Sequence, residues 1–340
     1  MKLQNLKRCF LIAEVSANHG QKFERAAKMI EVAKKCGADA VKFQLYSPDG
    51  ITVNADNKYF RIKHPVWGGQ TLYQLYQKAY TPWDWFKKLK KIADGMDIVF
   101  FASVFDLEGV DFLEDLGVQI HKISSFELVD LPLIEKAAKT GKPLIISTGM
   151  ARLGEIKEAA EAARKVGCKD LSLLKCVSSY PAKPEEMNLR TIVDMQKRFK
   201  CTIGLSDHTM GVGVAVASVS LGARIIEKHF TLSRKHKTPD DFFSLEPDEL
   251  RDLVENVRMA EAALGKTSYG LTDKQKKMRV FRRSIFAYKD IDKGEPLSMD
   301  NIKSVRPSAG LAPKYLPKLI GKKAGRRIKK GTPVSLDMLG

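Results

Sequence analysis

Eight short apolar runs punctuate the first 230 residues: Phe10–Ser16, Asp39–Gln44, Ile98–Val104, Gln119–Phe126, Pro143–Gly149, Leu171–Val177, Thr202–His208 and Ala223–Phe230. Each has the length and the Val, Ile, Leu or Phe richness of a strand covered on both faces, as parallel strands are. Between them the apolar residues shift to three- and four-residue spacing, as at Phe23, Ala26, Ala27, Ile30 and Ala33, which predicts amphipathic helices. Gly37, Gly117, Gly141, Gly167 and Gly222 each stand just before a run, where helix C-terminal caps belong. Eight strands with helical crossovers predict an α/β fold of the (β/α)8 TIM-barrel type. A doubly wound sheet is the competing architecture, but no GxGxxG follows the first run.

Two stretches break the rhythm. Residues 46–80 scatter Tyr59, Phe60, Trp67, Tyr73 and Tyr76 through a connection far longer than its neighbours. A surface decoration packed by its own aromatics would explain it, but connections of this length usually have a job, and a lid or rim over the substrate is expected. Near the C-terminus a last barrel helix fits Glu246–Leu264, and residues 266–283 are polar and basic, a linker by composition. From Ser284 the texture turns to short strands and turns, with Lys293-Gly294, Arg306-Pro307 and Gly331-Thr332-Pro333. The expected organisation is a catalytic barrel over 1–265, a linker over 266–283 and a small β-rich domain over 284–340, marginal on its own.

Composition narrows the class. Hydrophobic residues make up 44% of the chain, enough for packed cores. No segment approaches the roughly 18 apolar residues needed to cross a bilayer, and Glu14 interrupts the first apolar run, so neither membrane span nor signal peptide is expected. The five cysteines, Cys9, Cys36, Cys168, Cys176 and Cys201, are odd in number and lack CxxC spacing. They read as reduced thiols of a cytoplasmic protein. Of the net charge of +18, a surplus of +13 lies in residues 266–340, which carry 19 Lys/Arg against 6 Asp/Glu. Such a tail suits nucleic acid or anionic substrates, and the scarcity of aromatics and of any nucleic-acid motif favours the substrates.

In a barrel the site forms at the C-terminal ends of the strands. Here those ends are polar throughout: Glu14 and Ser16; Lys42 and Gln44; Ser103; Lys122, Ser125 and Glu127; Ser147; Lys175 and Ser178; Ser206, Asp207 and His208; Glu227, Lys228 and His229. Capping would account for one or two of them, not for all eight. Lys42 and Gln44, two apart, point the same way. The four lysines are expected to form an anion receptor, with Lys42 and Lys122 as point charges and Ser125, Ser178 and Ser206 as neutral donors to phosphate oxygens. A lone lysine is more often an ion-pair partner, and a lone histidine a structural residue; clustering shifts both readings. His208 and His229 close neighbouring strands and can hold a divalent ion with positions left for water and substrate. Glu14 and Glu227 are candidate acid, base or ligand-orienting groups beside it.

These residues resemble the sialic acid synthase family, the phosphoenolpyruvate-dependent nonulosonic acid synthases, from about Phe10 to Pro333. The resemblance rests on Ala13-Glu14 with Asn18-His19, Lys42-Phe43-Gln44, Lys122-Ile123-Ser124-Ser125, Ser147-Thr148-Gly149-Met150, Gly204 to Thr209 and Ile226-Glu227-Lys228-His229-Phe230. The tail from Ser284 looks like the family's antifreeze-like (SAF) domain, with Arg306-Pro307 and Gly310-Leu311. The resemblance implies condensation of phosphoenolpyruvate with an N-acylated amino-sugar aldehyde. It implies Mn2+, or else Mg2+ or Co2+, at His208 and His229, and Lys42, Ser103 and Lys122 around the phosphoenolpyruvate carboxylate. Ser125, Ser178 and Ser206 would take the phosphate, with Ser147 among the substrate contacts. Glu14, Lys42, Lys122, Glu127, His208 and Glu227 would be the catalytic groups. Gln44, Tyr180 and Asp240 would meet the sugar, and Arg306 would reach it from the partner subunit of a domain-swapped homodimer.

Within the family, Trp67 to Tyr73, Thr81 to Trp85 and Ser178-Ser179-Tyr180-Pro181 look most like the pseudaminic acid synthase branch. Sialic acid synthases more often carry Asn where Ser178 stands. The implied acceptor is then 2,4-diacetamido-2,4,6-trideoxy-L-altrose, with N-acetylneuraminate or legionaminate synthesis as alternatives. Remoter readings are a Schiff-base aldolase with Lys122 or Lys175 as nucleophile, and a basic nucleic-acid-binding protein.

Overall fold

In the computed structural model, which describes residues 1–64 and 66–340, the apolar runs become eight strands: β1 (Phe10–Glu14), β2 (Ala40–Leu45), β3 (Val99–Val104), β4 (His121–Ile123), β5 (Leu144–Ser147), β6 (Leu171–Cys176), β7 (Thr202–Asp207) and β8 (Ile225–His229). Each pairs in parallel with the next, and β8 closes on β1 from Phe10↔Ile225 to Glu14↔His229, which makes a closed barrel. The polar strand ends therefore meet around one opening.

The helices form the outer layer as their periodicity requires. Phe23–Lys35 buries Ala26, Met29, Ile30 and Ala33, one face of a 3.6-residue repeat. Leu153–Lys165 buries Ile156 and four alanines, whose small side chains let the helix approach the strands closely. All five glycines before the strands have positive φ, so each ends a helix in a conformation that a side chain would strain. The expected last helix runs Pro247–Leu264, with Glu246 as its N-cap. Among the described residues, no helix is long and apolar enough to cross a membrane.

The long second connection is structured. It holds helices Pro48–Ile51 and Leu72–Ala79, the second opened by a capping box between Thr71 and Gln74, and a bridge pairs Arg61 with Thr71. The backbone of Ile62 donates to Gln70 O at 3.0 Å and that of Leu72 to Phe60 O at 2.8 Å, which ties the connection to itself.

The chain divides into two compact units, Met1–Gly265 and Lys266–Gly340. Residues 266–283, polar and basic, include helix Asp273–Met278 and a 3-10 turn Arg279–Phe281. The cause of the helix is local, since Thr272 and Gln275 cap it reciprocally. The second unit pairs β9 (Ser284–Ala287) with β10 (Ile302–Val305) in antiparallel fashion over a small core of Ile285, Ile291, Leu297, Ile302, Ile328 and Val334.

One position shows how tightly the barrel closes. A Cβ on Gly204 of β7 would lie 2.4 Å from Ile225 O in β8 and 2.6 Å from Leu174 Cδ2 in β6. The first obstacle is backbone and cannot rotate away. Gly204→Ala should therefore cost at least the ~1–3 kcal/mol typical of overpacking. A lower urea midpoint, or insoluble protein, is the expected outcome; an unchanged midpoint would contradict it.

Candidate active site

The strand ends enclose a cavity of about 470 Å3, floored by Glu14, Lys42, Lys122, Ser147, Ser206, Glu227 and His229, with Gln44, Ser125, Glu127, Tyr180, His208 and Asp240 around it. Register explains the convergence. Glu14 pairs with Lys42, Gln44 with Ser103, Ser103 with Lys122, and Ser206 with Glu227, so polar side chains of successive strands share the inward face.

The same alternation removes two of the four lysines expected to receive an anion. Cys176, Glu227 and His229 occupy the other face, which turns Lys175 and Lys228 out of the cavity. Lys228 Nζ donates to Asp207 Oδ2 at 2.7 Å and to Thr209 O at 2.6 Å, while Lys175 Nζ donates to Cys176 O at 2.8 Å. Their roles are structural, and Lys175 is removed as a nucleophile for bound substrate.

Lys42 and Lys122 form a buried charge network with two carboxylates. Lys42 Nζ lies 2.7 Å from Glu14 Oε2 and 3.7 Å from Glu227 Oε1; Lys122 Nζ lies 3.9 Å from Glu227 Oε2. Ser103, fully buried, accepts from Lys42 Nζ at 2.8 Å and so positions it. Burial alone would discharge Lys42, but Glu14 and Glu227 outweigh it and raise the lysine above its usual range. For Lys122, burial prevails and lowers it. The carboxylates part in the opposite sense. Burial raises Glu14 despite Lys42, whereas for Glu227 burial is overcome by Lys122, Lys42 and His208, which hold it below its usual value. One carboxyl group favours the acid and the other the anion.

Several buried hydroxyls are left without a partner. Among the described residues Ser147 Oγ and Ser178 Oγ have none, and Ser125 Oγ accepts from the Gly149 amide at 3.1 Å. A Cβ on Gly149 would fall 2.1 Å from Ser178 Oγ and 2.8 Å from Ser125 Oγ, so a side chain there would displace both hydroxyls. Such orphaned donors suit oxygens of a bound anion. Ser206 is engaged, donating to Glu227 Oε1 at 3.2 Å.

The histidines stand together, with ring centroids 5.3 Å apart. His208 Nδ1 faces Val177 O at 2.9 Å, which leaves Nε2 free to ligate. Burial pushes His229 well below its usual range, so its ring is neutral, and its buried Nδ1 has no partner. Burial of His208 is outweighed by Cys176 and Glu227, which raise it above its usual range, so it would release its proton on binding a metal. Two imidazoles beside carboxylates then fit a divalent ion that takes mixed nitrogen and oxygen ligands. Among the described residues no cluster of three or more His, Cys, Asp or Glu converges, so further ligands would come from water or substrate.

Tyr180 packs on His208 with centroids 4.4 Å apart. Asp240 accepts from Ser16 Oγ at 2.5 Å, and burial raises its carboxyl above the usual range. Asn18 anchors the loop that carries Asp240, donating to Phe230 O at 2.9 Å and to Ser244 Oγ at 2.8 Å. His19 is structural: it faces Thr81 Oγ1 at 3.0 Å, and burial lowers it to about 4. Gln44 Nε2 donates to Glu14 Oε1 at 3.0 Å and to Ser16 Oγ at 2.9 Å. Arg306 lies in the second unit, exposed. The lining also includes Tyr46, Ile62, Trp67, Leu72, Leu75, Tyr76 and Phe105, which sequence reasoning did not single out as site residues. For all but Phe105, the signal in the sequence is the aromatic content of residues 46–80.

Glu127 is the buried carboxyl with the plainest pH consequence. Burial, opposed by Lys122, raises it from 4.5 to about 7, and its Oε2 has no partner. The native chain therefore keeps a proton that the unfolded chain releases near pH 4.5. The resulting stability is present below that pH and lost as pH climbs to about 7, on the order of 3 kcal/mol in all. Glu127→Gln should flatten that part of the stability profile and melt above the wild type at pH 8. Parallel melting profiles from pH 5 to 8 would contradict the assignment.

Comparison with known proteins bears on this site. Residues 29–269 match the NeuB family and residues 282–340 match the SAF domain. The chain is 46% identical to a pseudaminic acid synthase of Campylobacter jejuni subsp. jejuni serotype O:2, over 96% of this chain and 95% of that protein. It is 38% identical to an N,N'-diacetyllegionaminic acid synthase of the same organism, over 95% and 98% of the two chains. Among solved structures it resembles N-acetylneuraminic acid synthetase from Leptospira borgpetersenii, with a TM-score of 0.71 and 32% identity over 80% of this chain and 90% of that one. A barrel with this polar mouth, matched along nearly its whole length, belongs to the NeuB family.

Proposed function

We propose that this chain is a pseudaminic acid synthase, joining phosphoenolpyruvate to 2,4-diacetamido-2,4,6-trideoxy-L-altrose with release of inorganic phosphate. The observation that carries the reading is one cavity in which two buried lysines, unpartnered serine hydroxyls and two imidazoles converge. The 46% identity to a pseudaminic acid synthase, against 38% to a legionaminic acid synthase, supports the choice of sugar.

Phosphoenolpyruvate is a carboxylate and a phosphate on one three-carbon frame, so it needs cations and neutral donors together. Lys42, held by Ser103, and Lys122 take the carboxylate, while Ser125, Ser178 and Ser206 take the phosphate and Ser147 adds a contact. C3 forms a carbon–carbon bond to the aldehyde carbon, and the aldehyde oxygen gains a proton, for which Glu14 is suited by its raised pKa. The alkene electrons leave C2 cationic. Water adds there and gives up a proton, for which the ionised Glu227 is suited. The bond between C2 and the phosphate ester oxygen then breaks and C2 becomes the keto carbon. The remaining C2 hydroxyl proton passes to the departing phosphate, for which Glu127, near neutrality, can act as relay. Glu227 then returns to Glu14 the proton it took from water. A divalent ion at His208 and His229, with Mn2+ as first choice and Mg2+ or Co2+ as alternatives, supplies Lewis-acid polarisation of the aldehyde oxygen when bound. Gln44, Tyr180 and Asp240 orient the sugar, and Arg306 of a domain-swapped homodimer reaches it from the partner subunit.

The test is mass spectrometry of products from phosphoenolpyruvate labelled with 18O in its bridging oxygen and mixed with a panel of amino sugars. A nine-carbon acid from the trideoxy sugar is expected, with the label in phosphate and turnover lost on chelation and restored by Mn2+. Label retained in the sugar acid, or full activity after exhaustive chelation, would refute the mechanism. A pyruvate adduct trapped on Lys122 by borohydride would assign a Schiff-base aldolase instead.

The shared-site reading has its own test. Arg306→Ala and Lys122→Met should each be nearly inactive, yet regain part of the activity when mixed under subunit exchange, since one site per mixed dimer has both wild-type groups. No recovery, with exchange verified by native mass, would place Arg306 outside the partner's site.

A further inference from the structure

The cavity is polar on its floor and on one flank, and apolar on the other. In the closed order β1 to β8, β2 and β3 lie across the barrel from β6 and β7. Tyr180 and His208 follow β6 and β7. Opposite them, Tyr46 follows β2 and Phe105 follows β3, with their rings 5.1 Å apart, and Tyr76 packs edge-on against Tyr46 at 5.6 Å. Leu72 and Leu75, on the helix that carries Tyr76, and Ile62 also line the cavity, while Trp67 of the same connection packs on Tyr180 at 5.7 Å. Of Tyr46, Ile62, Leu72, Leu75, Tyr76 and Phe105, all but Phe105 come from the connection 46–80.

The polar side-chain atoms of these six residues are two phenol oxygens. Burial raises both phenols above their usual range, so neither carries charge. An open-chain acceptor whose aldehyde sits by the imidazoles extends across the barrel, and its far carbons arrive at this flank. Against Ile62, Leu72 and Leu75, away from the two phenol oxygens, a terminal hydroxyl would give up water for aliphatic carbon, and a terminal phosphate would give up far more. A methyl group would lose nothing.

We infer that the connection 46–80 reads the end of the acceptor remote from its aldehyde, through Ile62, Leu72 and Leu75, and selects a terminal methyl over a hydroxyl or phosphate. The inference rests on the synthase reading above and adds to it the residues that set the sugar class. An apolar surface rejects an added hydroxyl by up to about 10²-fold and no more, so the selectivity is real but bounded.

The experiment compares two acceptors that differ only at C6, the 2,4-diacetamido-2,4,6-trideoxy sugar and its 6-hydroxy counterpart, with the full-length chain. The wild type should favour the deoxy sugar by about tenfold or more in kcat/KM. Leu75→Asn and Ile62→Asn, which put an amide on the flank, should each bring that ratio towards one, mainly through KM for the sugar. KM for phosphoenolpyruvate should stay at the wild-type value, which also reports that the floor is intact; if one variant does not fold, the other decides. Equal use of both sugars by the wild type, or an unchanged ratio in the folded variants, would overturn the role of the flank alone. Turnover of neither sugar would overturn the synthase function itself, a separate outcome.

Discussion

The structure turns on the ion cluster of Glu14, Lys42, Lys122 and Glu227 at the mouth of the barrel. All four side chains are almost completely buried, so each needs its neighbours. Taking such groups from water costs several kcal/mol apiece, and removing one would leave the others uncompensated. No single strand supplies the compensation. Glu14 comes from β1, Lys42 from β2, Lys122 from β4 and Glu227 from β8, so the cluster exists only when the barrel is closed and in register. Closure and chemistry are thus one constraint. A slip of one residue in β2 would send Lys42 outward and leave Glu14 without its cation.

That cluster is also poised for an anionic substrate. Glu14 is raised above and Glu227 held below the usual carboxyl range, and Lys122, which burial lowers, has its carboxylate partner Glu227 at 3.9 Å. A ligand carboxylate would give Lys122 a second anion. The unpartnered hydroxyls of Ser147 and Ser178 are the neutral counterpart of the same incompleteness. A folded protein rarely leaves such groups idle, and Ser147 lines the cavity together with Glu14, Glu127, Glu227 and His229, which also carry unpartnered buried atoms among the described residues.

Much of this was readable in the sequence. The eight strands fall within or one residue beyond the runs picked out by apolar content, because strands buried on both faces leave an unbroken signal. Lys42 and Gln44 follow from two-residue alternation. The same alternation, carried to β6 and β8, would have turned Lys175 and Lys228 outward; they were grouped with the receptor because proximity along the chain was read without facing. The helix at Asp273–Met278 was hidden by polarity, since its order comes from capping and not from an apolar stripe. The apolar flank was hidden for a different reason. Leu72 and Leu75 share a helical face with Tyr76 and Ala79, but nothing local tells which side of a long connection will face a cavity.

The division of labour between strand ends and connection follows from what each can hold. Strand ends are fixed by a closed hydrogen-bond ladder, so they suit groups whose charges must be placed to fractions of an ångström. The reaction shared across the NeuB family needs that rigidity. The connection 46–80 is tied to the barrel by fewer restraints, among them Trp67 Nε1 donating to Pro239 O at 2.8 Å. It can change side chains without disturbing the ion cluster, because its contribution to the cavity is surface rather than charge. On the function proposed above, variation there would alter which sugar fits while the phosphoenolpyruvate half of the site stays as it is. In this architecture, substrate choice and bond-making chemistry are therefore carried by different parts of the same barrel mouth.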